Sequence, residues 1–595
     1  MPGPRNVIQK PKNFEKTFKR FMKELVTYKV QIIVTVIFTA ISVLLTLFGP
    51  MVLGMMTTSA TSSIAAGKGI LWDEIIGLVI LLISLYVISG IISYVQELIL
   101  TRISARFSNK MRSKILDKIS RLPMSYFDHV KIGDVMSRMT NDVDTAVGNL
   151  AQTINEIVIS VVTLVGITAM MLIISVPLSL VAIIAIPVST IFVKRIAEKA
   201  QKHFKRQRTI LGELNSRIEE DYTGQLIIKA NSHEKKTLAE FKEANDRLYE
   251  ASFKSQFFGT LPFPITHIFT HFAYIIICVL GGYFAIIGAI TIGNVQAFIQ
   301  YVNQFNRPIT EVAQLSATIQ QIMAAAERVF DFLDLEEMAE EEETEIRADE
   351  ISGEVEFHDV NFSYNADKPV IRNFSAKISP GMKVAIVGPT GAGKTTIVNL
   401  LMRFYDPDSG YITIDGKPTR EMSRANVRKL FGMVLQDTWL FSGTILNNLK
   451  YGAGKNIPEE EVKKAIKATG IDHFIESLPH GLNTVIDEDS DNISAGEKQL
   501  LTIARAMVAN PPMLILDEAT SNVDTRTEQM IQDAFSRLTK GRTSFVIAHR
   551  LSTIRESDLI LVMKDGNIVE QGKHEELLSM NGFYAELYNS QFSES

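Results

Sequence analysis

Residues 388–396 read GPTGAGKTT, directly after the apolar run KVAIVG at 383–388. This is a glycine-rich G-x-x-x-x-G-K-[ST] stretch between a buried-strand pattern and a helical one, IVNLLMRF. Gly388, Gly391 and Gly393 let backbone N–H groups approach an anion without Cβ clashes, and Pro389, Thr390 and Ala392 complete the wrap. Lys394 supplies a point charge for the β- and γ-phosphates of a nucleotide. Thr395 offers a hydroxyl to Mg²⁺, and Thr396 continues the helix start. The pattern predicts an α/β nucleotide-binding domain.

Working outward, PMLILDEAT at 512–520 is a second buried strand, ending in two carboxylates. Asp517 is suited to hold Mg²⁺ through water, and Glu518 to act as general base or to orient the attacking water. Gln436, in MVLQDTWLF, is placed to touch the metal or that water. His549, in FVIAHRLS, stands at a strand end where it can contact a γ-phosphate. Tyr364 lies 24 residues before Gly388 and can stack on an adenine ring. Each of these last three is weak alone, and their order along the chain makes them credible together. ATP and Mg²⁺ are the implied ligands.

The chain has 595 residues, too many for one ordinary domain. A formal charge of −5 gives no sign of a nucleic-acid partner. The single cysteine, Cys278, excludes an internal disulfide. No apolar segment followed by a small-residue cleavage site opens the sequence, so no removable signal peptide is read.

The first half is different in kind. Val30 to Gly67 carries no charge, with its apolar part ending near Met56, and Ile75 to Gln96 is a 22-residue charge-free run. Ile157 to Val193 runs 37 residues and suits two crossings joined at SVPLS. Ser255 to Asn306 runs 52 residues and suits two more, broken around GAITIGN. The count is six transmembrane helices. Basic residues crowd the tail and the segments around 102–138 and 194–254, while Lys68 is the only base in the opposite loops. Both ends of this domain are therefore expected in the cytoplasm, and the lipid bilayer is an obligatory partner.

The expected organisation is a cytosolic segment at 1–29, a multi-pass α-helical membrane domain at 30–325, an acidic linker at 326–350 and an α/β P-loop domain at 351–595. Two long helical loops reach out of the bilayer, with polar turns expected at MTNDVDTAV (139–147) and KANSHEKKTL (229–238). Either is an ordinary connection or a contact that passes motion to the soluble domain. His267 and His271 have a metal-binding spacing, but with no third ligand two polar residues facing the bundle interior are the simpler reading.

With these motifs in place, the chain resembles the ATP-binding cassette exporters, as a half-transporter with one membrane and one nucleotide-binding domain. In that vocabulary Tyr364 falls at the A-loop, Gly388–Thr396 at Walker A and Gln436 at the Q-loop. Residues 493–497 fall at the signature motif, Met513–Glu518 at Walker B, SNVD (521–524) at the D-loop and His549 at the switch histidine. Glu488 matches the X-loop glutamate, and the two polar tips resemble coupling helices. The resemblance implies a dimer that sandwiches two ATP molecules, each on one chain's Walker A and under the other's signature loop.

The departure lies in that loop. The family's usual Leu-Ser-Gly-Gly-Gln is here Ile493-Ser494-Ala495-Gly496-Glu497. Ser494 and Gly496 keep the hydroxyl and the close backbone approach. Glu497 brings a charge toward triphosphate, which costs about 1 kcal/mol at about 4 Å even in bulk water. The site capped by this loop is expected to hydrolyse weakly. That points to a second, different half-transporter chain, as in bacterial heterodimeric multidrug exporters. The charge-poor membrane runs favour hydrophobic small-molecule cargo, with Phe263, Phe269, Phe272, Tyr274, Phe298 and Tyr301 as expected cavity residues. Alternatives are a lipid or glycolipid flippase of the same architecture and an ATP-gated channel or receptor subunit.

Overall fold

The computed structural model describes residues 11–67, 69–342, 350–365, 367–436, 438–453, 457–486, 493–517, 524–548 and 551–592. Two compact units divide the chain. One joins the residues up to Ser120 with Ile132–Leu335, and the other joins Arg121–Lys131 with the residues from Glu336 onward.

The described residues of the first unit form helices and the short connections between them. It contains α1 (Phe14–Leu25), α2 (Lys29–Leu47), α3 (Gly49–Ala65) and α4 (Trp72–Arg121). After α4, α5 (Met124–His129) belongs to the second unit, and α6 (Ile132–Ser137) returns to the first. Then come α7 (Asn149–Ile174), α8 (Val176–Thr223), α9 (Gln225–Ala230), α10 (Glu234–Thr260), α11 (Pro262–Ile286) and α12 (Ile292–Leu333). Among the described residues, four helical stretches are long and apolar enough to cross a membrane: Phe14–Ala65, Trp72–Arg121, Ile132–Ile174 and Glu234–Ile286. The other two apolar runs of the expected six lie in α8 and α12. At 50 residues, α4 is about 75 Å long, far more than a bilayer needs.

The breaks have local causes. Ser175 is extended between α7 and α8, and Pro177 occupies the first turn of α8, as the SVPLS reading expected. Thr291 caps α12 by accepting from the Asn294 N–H at 3.1 Å. Beyond the apolar part that ends near Met56, α3 continues to Ala65, and within it Thr57 and Thr61 turn their hydroxyls back on helix carbonyls.

Outward-facing Ile33, Ile37 and Ile41 on α2, and Ile80, Ile83 and Val87 on α4, form exposed apolar faces suited to lipid. Polar groups turn inward and pair. Ser42 meets Ser89 at 2.8 Å and Ser93 at 2.7 Å, and Thr39 donates to Asn155 at 2.8 Å.

Two expectations are corrected here. Phe298 and Tyr301 are not cavity residues: both are fully buried in the bundle core with Ile167, Leu178 and Ile277, and the Tyr301 hydroxyl donates to the Leu47 carbonyl at 2.6 Å. The stretch 139–147 is not a turn either. It runs as wide helical turns into α7, with Val143, Ala146 and Val147 buried. Arg328 of α12 donates to the buried Asp142 carboxylate through Nε at 3.0 Å and through a second nitrogen. The segment 229–238 does contain the expected turn, between α9 and α10.

The second unit is α/β. Its strands are β1 (Val355–Asn365), β2 (Lys368–Ile378), β3 (Lys383–Val387), β4 (Ser409–Ile414), β5 (Lys417–Pro418) and β6 (Phe431–Val434). They continue as β7 (Gly443–Thr444), β8 (Val485–Ile486), β9 (Met513–Asp517), β10 (Thr543–Ile547), β11 (Leu559–Lys564) and β12 (Asn567–Gly572). A six-stranded sheet has the order β12-β11-β3-β10-β9-β6, parallel except for β12 at its edge. Both faces are covered, so its strands read as continuous apolar runs. A four-stranded antiparallel sheet, β2-β1-β4-β5, supplies a second layer.

Candidate functional site

In an open parallel sheet, ligands bind beyond the carboxyl ends of the strands. Register places the site residues there. Ile547 pairs with both Ile386 and Asp517, and Val434 pairs with Leu516. Gly388 follows β3, Asp517 ends β9, and Gln436 sits two residues beyond β6, exposed. One edge thus collects residues far apart in the chain. Glu518 and His549, and the X-loop Glu488, lie outside the described residues.

The loop from Gly388 to Gly393 enters α13 (Lys394–Leu401). Gly393 has φ +101°, and a Cβ there would sit 2.7 Å from Ile371 Cδ1. A Cβ on Gly388 would meet the Met563 carbonyl at 2.4 Å. Both positions therefore require glycine. The Lys394 ammonium donates to the Gly388 carbonyl at 2.7 Å and the Pro389 carbonyl at 3.1 Å. Burial pushes Lys394 below the ordinary lysine range, and the Asp517 carboxylate partly restores it. A partly desolvated cation beside a helix N-terminus favours an anionic ligand. Pro389, Thr390, Gly391 and Thr395 are exposed, while Ala392 and Thr396 are buried under the loop. Thr395 and Asp517 present the oxygen chemistry that Mg²⁺ prefers, so the donor set fits that ion.

Tyr364 lies near the end of β1, 38% exposed, and accepts from Asn399 of α13 at 3.0 Å. Its ring meets Phe362 edge-on at 4.9 Å and Tyr405 at 5.0 Å. The aromatic reading and the P-loop helix are thus brought together.

The second helix start behaves otherwise. Between α13 and it lie α14 (Arg424–Leu430), α15 (Ile445–Lys450), α16 (Glu459–Thr469) and α17 (Asp472–Ser477). Ser494 then caps α18 (Ala495–Ala509). The Glu497 carboxylate accepts from the Ser494 N–H at 2.8 Å and from the Ser494 hydroxyl at 2.7 Å, and the Glu497 N–H donates back to Ser494 Oγ at 3.3 Å. This is a reciprocal capping box. Gly496 is buried in the first turn. Arg505, on the same helix, donates to the Asn448 carbonyl at 2.8 Å and the Trp439 carbonyl at 3.1 Å, tying α18 to the segment after Gln436. Asp524, the described member of SNVD, caps α19 (Thr525–Thr539) by accepting from Thr527 at 3.1 Å.

Sequence reasoning missed two features. Glu341, read as part of a solvated linker, accepts from Arg403 at 2.8 Å and from Arg424 at 2.6 Å. Helix α12 also covers the stretch to Leu333 that was read as linker from 326. The other is the loop at 121–131, where Asp128 accepts from the Tyr405 hydroxyl. Only Pro123 before a short helix marked it in the sequence. His267 and His271 are exposed with ring centres 6.0 Å apart, and among the described residues no group of three or more His, Cys, Asp or Glu could hold a metal.

Comparison with known proteins agrees with this architecture. Residues 32–309 match the ABC transporter transmembrane region, and residues 371–521 match the ABC transporter family. The chain is 43% identical over 525 residues to a fatty acid ABC transporter ATP-binding/permease protein of Mycobacterium tuberculosis (strain CDC 1551 / Oshkosh), covering 88% of this chain and 83% of that one. It is 36% identical over 527 residues to a probable multidrug resistance ABC transporter ATP-binding/permease protein of Bacillus subtilis (strain 168), covering 87% and 77%. The solved structure of a bacterial Atm1-family ABC exporter with ATP bound is similar at a TM-score of 0.70 and 27% identity, over 96% of this chain and 98% of that one. The chain belongs to the ABC transporters, as an ATP-hydrolysing exporter half-transporter that carries its permease and its nucleotide-binding domain on one polypeptide.

Proposed function

We propose that the chain exports hydrophobic or amphipathic compounds across the cytoplasmic membrane as one half of a heterodimer, with its nucleotide-binding domain in the cytoplasm. The observation that carries the pairing is Glu497, folded back on Ser494 at the very helix start that should cap a partner's nucleotide. The same unit carries a complete P-loop with Lys394 and Asp517. One pocket is built from this chain's Walker motifs and a partner's signature loop. The other receives this chain's acid-bearing lid and fires weakly.

In the first pocket Lys394 and the loop N–H groups hold the β- and γ-phosphates, and Tyr364 stacks on the base. Thr395, Gln436 and Asp517 would hold Mg²⁺, which supplies charge neutralisation of the phosphates. Glu518 orients and deprotonates the attacking water, and His549 contacts the γ-phosphate. Nucleotide binding adds contacts to both chains and closes them. Coupling tips then pass that closure to the membrane unit. At the second tip, Leu226 and Ile227 of α9 are 82% and 68% exposed, an apolar pair fit to dock on a partner.

A lipid-like cargo is the second reading, favoured by the relative named for fatty acids. ATP-driven uptake into inside-out vesicles separates the two. Cationic amphipathic dyes accumulate if drugs are the cargo, and labelled fatty acids if lipids are. Abolition of either signal by Glu518→Gln is expected. Full uptake by that variant would refute the assigned role of Glu518.

A further inference from the structure

The five residues after α13, Met402 to Asp406, receive contacts from three directions. Arg403 donates to Asp406 at 2.9 Å and to Glu341 at 2.8 Å, and Arg424 bridges the same two acids at 2.8 and 2.6 Å. This ion network fixes the backbone on either side of Tyr405. On the second side, Tyr405 packs edge-on against Tyr364 at 5.0 Å and 87°, and at a tilt of 57° against Phe362 at 5.4 Å. On the third, its hydroxyl donates to Asp128 of the 121–131 loop. That loop is itself attached at its start, where the Met338 N–H donates to the Arg121 carbonyl at 3.0 Å.

Tyr364 has few ways to turn. Asn399 holds its hydroxyl, and two rings flank it at nearly perpendicular angles, 84° for Phe362 and 87° for Tyr405. Of these three restraints, Asn399 and Phe362 lie on the same elements as the nucleotide loop and the tyrosine itself. Tyr405 alone also touches a segment that leaves this unit at both ends for the membrane helices. Burial, followed by the Asp128 carboxylate, pushes the Tyr405 hydroxyl far above the usual phenol range, so it stays a neutral donor at physiological pH.

We propose that Tyr405 is a positioning residue: Asp128 sets its ring, and its ring sets the Tyr364 plane against the base of the bound nucleotide. Base affinity then depends on where the 121–131 loop sits. This rests on the reading of Tyr364 as the base-stacking residue.

The test uses the full-length transporter with its partner in lipid nanodiscs, with steady-state ATPase measured against ATP concentration. Tyr405→Phe and Asp128→Ala should each raise the KM for ATP about three- to tenfold, the range of one hydrogen bond, while kcat stays within about twofold. The double variant should be no worse than either single one, because both remove the same link. Tyr364→Ala should raise KM by itself and make Tyr405→Phe silent. A KM unmoved by both single substitutions, additive effects, or a Tyr405→Phe effect that persists on Tyr364→Ala would overturn the proposal. Tyr364→Ala that leaves KM unchanged would instead remove the stacking reading beneath it.

Discussion

Two helix starts in the nucleotide-binding unit share a geometry and differ in what they leave open. At α13 the loop closes on itself through glycines, and Lys394 supplies a cation that donates to the Gly388 carbonyl. At α18 the helix start is already satisfied: Glu497 occupies the anion-seeking end through two hydrogen bonds to Ser494. Both ends carry the same partial positive charge of a helix N-terminus. The first is kept for a ligand, and the second is answered from within the chain. A carboxylate and a glutamine can both close a capping box. The family's glutamine would keep the fold of the loop without the charge, whereas glutamate keeps the fold and, on the proposed reading, would repel phosphate.

The largest effect that would sharpen this contrast is expected at Lys394. Lys394→Ala should lower ATPase activity about a hundredfold, since a charge-assisted contact to the γ-phosphate contributes about 3 kcal/mol when buried. ATPase assays of the reconstituted transporter check it, and unchanged turnover would break the α13 side of the comparison. Glu497→Gln should keep the capping box and remove the charge. ATP affinity at the site this loop caps should then rise about three- to tenfold, with the melting temperature unmoved, by binding and thermal-shift measurements. Ser494→Ala should give the smallest change, a loss of about 1 kcal/mol in stability of the α18 start, read from denaturant midpoints. If Glu497→Gln instead destabilised the domain as much as Ser494→Ala, the carboxylate would be structural rather than electrostatic.

How far the sequence carried depended on how local each signal was. The P-loop, the apolar strands β3 and β9 and the break at Ser175 were legible because spacing alone encodes them. The fold of the 121–131 loop was not. The Asn and Asp residues at 141–144 look like turn formers, yet Asp142 is buried against Arg328, 186 residues away, which no local pattern announces. Tyr301 and Phe298 share the apolar periodicity of cavity and core alike, and only packing against Leu47 and Ile277 distinguishes the two. Glu497 reads as a foreign charge in the sequence, and its second role as a helix cap needs the Ser494 geometry. Glu341 was misplaced for a similar reason: an acidic run reads as solvated until two arginines from another stretch meet it.

The central claim is that this chain holds one competent pocket and lends a weakened lid to another. It is tested most directly by the ATPase rate of the chain purified alone, alongside its Glu497→Gln variant. Slow, non-cooperative hydrolysis that rises with Glu497→Gln is the predicted result. Fast, cooperative hydrolysis by the unaltered chain alone, unmoved by that substitution, would contradict it.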